Sequence, residues 1–184
     1  MSKSDRRLTL EAATEIGLRL IKLLRPGCER IEIAGSIRRK RPLIGDIEIV
    51  CIPRMTTDLI GQPVESELDP VIGELIATGM VTAPHRNGPR HKSFGIPMKG
   101  RLTFNLDLFL TTPECWGVVF AIRTGSAAYS KNLVTQRQWG GYLPNGHRVE
   151  GSRVWKGQEV LETPEEEDFF TLCGGWVPPE KREL

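Results

Sequence analysis

Apolar residues recur at helical spacing through Ala13, Ile16, Leu20, Ile21 and Leu24. That stripe predicts a core-facing helix, capped by Thr9 and stopped by Pro26-Gly27. Ile31 to Ala34 and Asp46 to Ile52 predict two strands, with a loop from Gly35 to Gly45 between them. Residues 54–68 show no period and predict irregular chain. A helix follows from Pro70 to about Thr78, then a short strand over Lys92 to Ile96 inside the Gly- and Pro-rich segment 88–100. Leu102 to Leu110 alternates as a half-buried strand. Beyond Thr111-Thr112-Pro113 the period turns helical, predicting one helix over Cys115 to Arg123 and another over Ser126 to Trp139 that closes on Gly140-Gly141. Asn145-Gly146 predicts a hairpin between Tyr142-Leu143 and His147–Val149. Thr163-Pro164-Glu165-Glu166 predicts a capping box opening a helix to about Cys173. The break near Pro113 is the predicted boundary between a first unit, 1–112, and a second, 113–184.

Composition narrows the class. The 184 residues are 39% apolar with 19 glycines, which excludes a disordered tail, a collagen-like fibre and a heavily charged scaffold. No apolar run approaches the roughly 20 residues of a membrane span, and Met1 to Arg7 is polar with no signal-type segment behind it. A soluble intracellular protein is expected, in the cytoplasm of a bacterial or virus-infected cell or on the nucleoid. Cys28, Cys51, Cys115 and Cys173 are scattered without a Cys-x-x-Cys pair, so neither structural zinc nor a disulfide framework is expected. The net charge of +2 hides a gradient: residues 1–54 carry 12 basic and 7 acidic groups, residues 159–184 only 2 against 8. The basic excess peaks at Arg38-Arg39-Lys40-Arg41. Such a run is either a solvated loop or the contact for a polyanion.

Asp46-Ile47-Glu48 carries the first chemistry. Residues two apart on a strand share a face, so both carboxylates project together while Ile47, Ile49 and Cys51 face the core. In the later strand Phe104, Leu106, Leu108 and Leu110 take one face and Asn105 and Asp107 the other. If the two strands are neighbours, three carboxylates converge, a like-charge cluster that divalent cations would relieve; hard oxygen ligands suit Mg²⁺. A solvent-facing sheet edge is the plain alternative. Gly35-Ser36 leaves the first strand as a turn offering backbone N–H groups and a hydroxyl to a phosphate. Arg38 and Arg39 follow at once, and Gly45 lets a ligand approach the backbone ahead of Asp46. An anchored triphosphate with metals on its oxygens is what nucleotidyl transfer needs.

Gly35-Ser36-Ile37-Arg38-Arg39 followed by Gly45-Asp46-Ile47-Glu48 resembles the Gly-Ser-x-Arg-Arg … Gly-Asp-x-Asp signature of family X DNA polymerases, the DNA polymerase beta type. Lys92-Ser93-Phe94-Gly95 is similar to that family's Lys-Phe-x-Gly strand, and Leu106-Asp107-Leu108 to its third aspartate. Thr124-Gly125-Ser126 with Lys131-Asn132 resembles its Thr-Gly-Ser … Lys-Asn helix, and Glu165 to Arg182 its acidic helix and proline-rich ending. The resemblance covers nearly the whole chain in order. It implies an α+β fold, a nucleotidyltransferase palm of mixed β-sheet backed by helices, followed by a small helical and hairpin lobe. Asp46, Glu48 and Asp107 would be the catalytic carboxylates holding two Mg²⁺ ions, with Mn²⁺ as substitute, and Asp107 would accept the primer 3′-hydroxyl proton. Gly35, Ser36, Arg39 and Gly45 would bind the triphosphate, and Thr124, Gly125, Ser126 and Ser130 the rest of the nucleotide. Arg38, Lys40, Arg41, Lys92 and Lys131 would contact nucleic acid.

The implied activity is template-directed addition of dNTPs to a primer 3′-OH on primer-template or gapped DNA, by a monomer filling short gaps in DNA repair. Two other readings stand beside it: a template-independent, RNA- or protein-directed nucleotidyltransferase of the same superfamily, and a non-catalytic DNA-binding palm. The chain departs from the family at Glu48, where an aspartate is usual, at Ile122-Arg123, which replace a Tyr-Phe pair, and at Ala127 and Val134, which replace an acid and a base. Loss of the aromatic pair predicts that ribonucleotides are accepted. No N-terminal lyase or helix-hairpin-helix module is expected; the size matches the minimal two-lobed polymerases of large DNA viruses. His85, His91 and His147 are expected at the surface, with nucleic-acid contact the second reading for His91. Trp116, Trp139, Trp155 and Trp176 are expected mainly in the second core, Trp155 also as a base-stacking candidate.

Overall fold

A computed structural model of the chain describes residues 7–99 and 102–184; the polar stretch 1–6, Gly100 and Arg101 fall outside them. Helix α1 (Leu10–Leu24) follows the two-residue strand β1 (Leu8–Thr9), and the Thr9 hydroxyl accepts the Ala12 N–H at 3.3 Å. Ala13, Leu20, Ile21 and Leu24 form its buried face, each of the larger side chains contributing about 1.5–3 kcal/mol by leaving water. Strand β2 (Cys28–Ile33) runs into α2 (Gly35–Arg38), then β3 (Leu43–Ile44) and β4 (Asp46–Pro53). The expected Gly35–Gly45 loop is therefore a helical turn and a short strand. Residues 54–68 are a hairpin rather than irregular chain, β5 (Met55–Thr57) against β6 (Pro63–Ser66). Asp58 Oδ1 accepts the N–H groups of Ile60 and Gln62 at its tip.

Helix α3 (Leu68–Ala77) precedes β7 (Arg86–Asn87), β8 (His91–Pro97) and β9 (Thr103–Leu110). The main sheet has the order β2-β4-β9-β8-β7, with β4 and β9 parallel and the other pairs antiparallel. Its alternation gives two unlike faces. Ile47, Ile49 and Cys51 join Leu106, Leu108 and Phe94 under α1 and α3, a core entirely of apolar side chains. On the other face Val50, Ile52 and Phe109 join a second core with Trp116, Phe120, Phe169 and Phe170. The fold is thus α+β, a mixed central sheet backed by helices.

The second core is built by α4 (Trp116–Thr124), α5 (Ala127–Val134), the meander β10 (His147–Glu150), β11 (Arg153–Lys156) and β12 (Glu159–Leu161), and α6 (Glu166–Cys173). The helix expected to Trp139 stops at Val134: Thr135 is extended at ψ 134°, and only a 3₁₀ turn follows at Arg137–Trp139. The hairpin expected at Asn145-Gly146 lies one turn later. Gly151 and Ser152 both have positive φ, 60° and 68°, as a tight turn between β10 and β11 demands, while Asn145 Oδ1 instead accepts the Gln138 N–H. The α6 box uses Glu165 and Asp168, not Thr163; Thr163 is buried and its hydroxyl accepts the Val118 N–H. Of the tryptophans, Trp116 is fully buried, but Trp139 and Trp176 are 69% and 47% exposed. All four thiols are free, and no helix among the described residues is long and apolar enough to cross a membrane.

Candidate active site

Parallel pairing sets Glu48 directly beside Asp107 and Asp46 beside Asn105. Adjacent strands lie about 4.8 Å apart, so the three acids share one face of the sheet, forward of the patch that the second core covers. Burial pushes the Glu48 pKa up to about 7, with the Asp46 charge adding to it and Arg123 and Arg39 opposing. Asp46 is raised as well, first by burial and then by Asp107. Neither acid is relieved by a hydrogen bond, only by distant charge. Gly35, at φ 60°, is fixed by the same cluster, because a Cβ there would collide with the Glu48 carboxyl. The longer side chain of Glu48 is accommodated by lying over this glycine.

Asp107 is held from three sides. Ser93 Oγ donates to Oδ1 at 2.6 Å, Asn105 Nδ2 to Oδ2 at 2.6 Å, and His91 Nε2 lies 2.8 Å from Oδ1. The single Ser93 proton goes to Asp107, so His85 Nε2, 2.8 Å from the same oxygen, is the donor in that contact. His91 also stacks on Phe109, with ring centroids 4.5 Å apart. His91, half-buried, is thus joined to the site; His85 reaches it through Ser93 while staying at the surface as expected, and His147, expected at the surface, is buried instead, with its backbone carbonyl accepting from Gln136. Alternation puts His91 and Ser93 on one face of β8, and only its antiparallel pairing with β9 brings Asp107 to that face. Lys92 registers with Leu108 on the opposite face, where it pairs with Asp69 at 3.2 Å. The sheet does not bring it to the carboxylates.

The basic run is engaged inside the chain. Arg38 Nη1 and Nη2 donate to Glu166 at 2.8 and 2.6 Å, and Nη1 also to Thr124 Oγ1 at 2.8 Å. Arg39 donates to Glu183 at 2.7 Å and to the Thr124 carbonyl at 2.6 Å. Lys40 pairs with Glu180, and Arg41 lies 3.7 Å from Glu183. The acidic end of the sequence therefore neutralises its basic peak. Ser36 Oγ, in contrast, is buried with no hydrogen-bond partner, and a Cβ at Gly45 would meet nothing within 4 Å. The unsatisfied hydroxyl belongs to α2 and the open approach to the residue that precedes β4.

Among the nucleotide candidates of the second unit, Ser126 caps α5 by accepting the Tyr129 N–H, and Ser130 Oγ donates to the Ile122 carbonyl at 2.6 Å. Gly125 is required by close packing, since a Cβ would come 2.6 Å from Ser130 Oγ. Lys131 is exposed. Ile122 and Arg123 line a cavity of about 370 Å³ together with His91 and Phe109, and the Arg123 guanidinium sits 3.9 Å above the Phe109 ring. Trp155 lies under Arg148, 4.9 Å from its ring centroid.

Among the described residues no three His, Cys, Asp or Glu side chains stand in metal-holding geometry; Asp107 spends its oxygens on Ser93, Asn105 and His91. The donor chemistry nevertheless fits a hard divalent cation: three half-buried carboxylates on one sheet face, with raised proton affinity at two of them. No protein-family model matches the chain, and no match was found among the curated proteins.

Proposed function

We propose that the chain is a nucleotidyltransferase of the family X DNA polymerase type, adding nucleotides to a primer 3′-hydroxyl, with short-gap filling in DNA repair as its role. One observation carries the reading: the register that sets Glu48 beside Asp107, with Asp46 one pleat away, on the sheet face opposite the apolar core under α1 and α3. Asp46, Glu48 and Asp107 would hold two Mg²⁺ ions, or Mn²⁺. When bound there, such ions stabilise charge on the attacking and leaving oxygens of an in-line displacement at phosphorus. Asp107, oriented by Ser93 and Asn105, takes the proton from the primer hydroxyl. Ser36 offers its unpartnered hydroxyl to the triphosphate, and Arg39 adds charge once it exchanges Glu183 for phosphate. Ile122 fills less space beside the sugar than an aromatic ring, so a 2′-hydroxyl is rejected by only about 1–2 kcal/mol.

Primer extension with Mg²⁺, on gapped duplex, blunt duplex and single strand with each dNTP and rNTP, tests the reading. Template-matched extension of the gapped duplex is expected, with ribonucleotides used at roughly one fifth to one thirtieth of the dNTP efficiency. Extension that ignores the template moves the assignment to the template-independent branch. DNA binding without extension under any condition leaves a non-catalytic palm.

A further inference from the structure

The C-terminal ends of β4 and β9 open onto a cavity of about 440 Å³, away from the carboxylates at the start of β4. Ile52, Met55 and Leu110 give it apolar walls; Thr111, Arg90 and Arg153 give it polar ones. That size and mixture are typical of small-molecule pockets. The main sheet supplies one side and the β10–β11 turn the other. Arg90 lies against Gly151 in that turn, where a Cβ would come 3.3 Å from Arg90 Nη1.

Two independent features point to an occupant. Thr111 is 8% exposed, and its hydroxyl is buried without a hydrogen-bond partner, although its own N–H is satisfied by Cys51. Buried polar atoms are rarely left so. Second, the ion pairs among the described residues engage seven other arginines but neither Arg90 nor Arg153. Glu29 is the acid among the lining residues, which leaves the lining itself one positive charge, with Glu114 just outside it, close enough to Arg153 for the guanidinium to help hold its carboxyl below the ordinary range.

We infer that this cavity binds an amphipathic organic monocarboxylate. The apolar body lies against Ile52, Met55 and Leu110, and the carboxylate accepts from the two arginines and the Thr111 hydroxyl. One surplus positive charge suits a monoanion better than a dianion. The site stands independently of the polymerase reading.

Titrating ¹⁵N-labelled protein with naphthalene-1-acetate and, separately, octanoate tests this and distinguishes an aromatic acid from a fatty acid. Saturable shifts centred on the Leu110, Thr111 and Gly151 amides are expected with at least one of them. Naphthalene-1-acetamide, the neutral counterpart, should bind about tenfold more weakly, and Arg153→Glu should weaken the acid by a similar factor. Met55→Trp should fill the cavity and remove the shifts; its spectrum also reports whether it is folded, and the exposed Arg153→Glu decides if it is not. Absence of saturable shifts with both acids, shifts centred elsewhere, equal binding of acid and amide, or an Arg153→Glu affinity equal to that of the unmodified protein would overturn the proposal.

Discussion

Glu48 concentrates the electrostatic tension of the site in one carboxyl. Its pKa stands near 7 in the folded chain because burial and Asp46 disfavour its charge, against about 4.3 in an unfolded one. The folded state therefore binds the proton more tightly, and this stabilisation is full below pH 4 and lost as pH rises through 7. The amount is at most roughly 4 kcal/mol. In EDTA, Glu48→Gln should flatten the decline in stability between pH 4 and 7.5 and exceed the parent above pH 7, as read by urea midpoints. Asp107→Ala should abolish Mg²⁺-dependent nucleotide addition while the circular dichroism spectrum is kept, because only hydrogen bonds at the sheet face are lost. Extension at the parental rate by this variant would remove Asp107 from the chemistry. The three acids were legible in the sequence because strand alternation assigns faces without knowledge of partners. His91 and Ser93 were not, because their place beside Asp107 exists only once β8 pairs with β9.

The short helix α2 shows how an element inherits its conformation from a side chain elsewhere. Gly35 begins it at φ 60° with the Glu48 carboxyl where a Cβ would lie. Gly35→Ala should lower stability by about 1–3 kcal/mol through both strain and collision. Adding Glu48→Asp should restore part of that loss, a coupling that thermal unfolding of the two singles and the double would measure. Elements with a buried face were readable from their period: α1, β4 and β9 fall within a residue or two of expectation. The β5–β6 hairpin was not, since its strands are short and Leu59 and Ile60 at its tip are fully or largely exposed, leaving no alternation to detect. The shift of the hairpin from Asn145-Gly146 to Gly151-Ser152 has a similar cause. Both dipeptides favour positive φ, and only pairing of β10 with β11 decides between them.

Across the whole molecule, one buried ionic knot joins α2 to α6 and the segment that follows it. Glu166, 4% exposed, accepts from Arg38 and also from the fully buried Arg182 at 2.6 Å. Glu166→Ala should lower stability by about 3–5 kcal/mol, because it strands the Arg182 charge out of water; urea unfolding would show the shift. Arg39 and Glu183 repeat the link nearer the surface, and Glu183→Gln should lower the apparent KM for nucleotide by releasing Arg39, whereas Arg39→Ala should raise it. The charge gradient hinted at attraction between the two ends of the sequence, but not at which acid meets which base. Those partners are 128 and 144 positions apart, which has a consequence for vectorial synthesis. Residues 38–41 leave the ribosome early and then wait, their cations unopposed, until residues 166–183 have been translated. A nascent chain stalled at residue 150 would thus display a bare polycationic loop to the ribosomal RNA around it, and only release of the last segment would fold that loop shut.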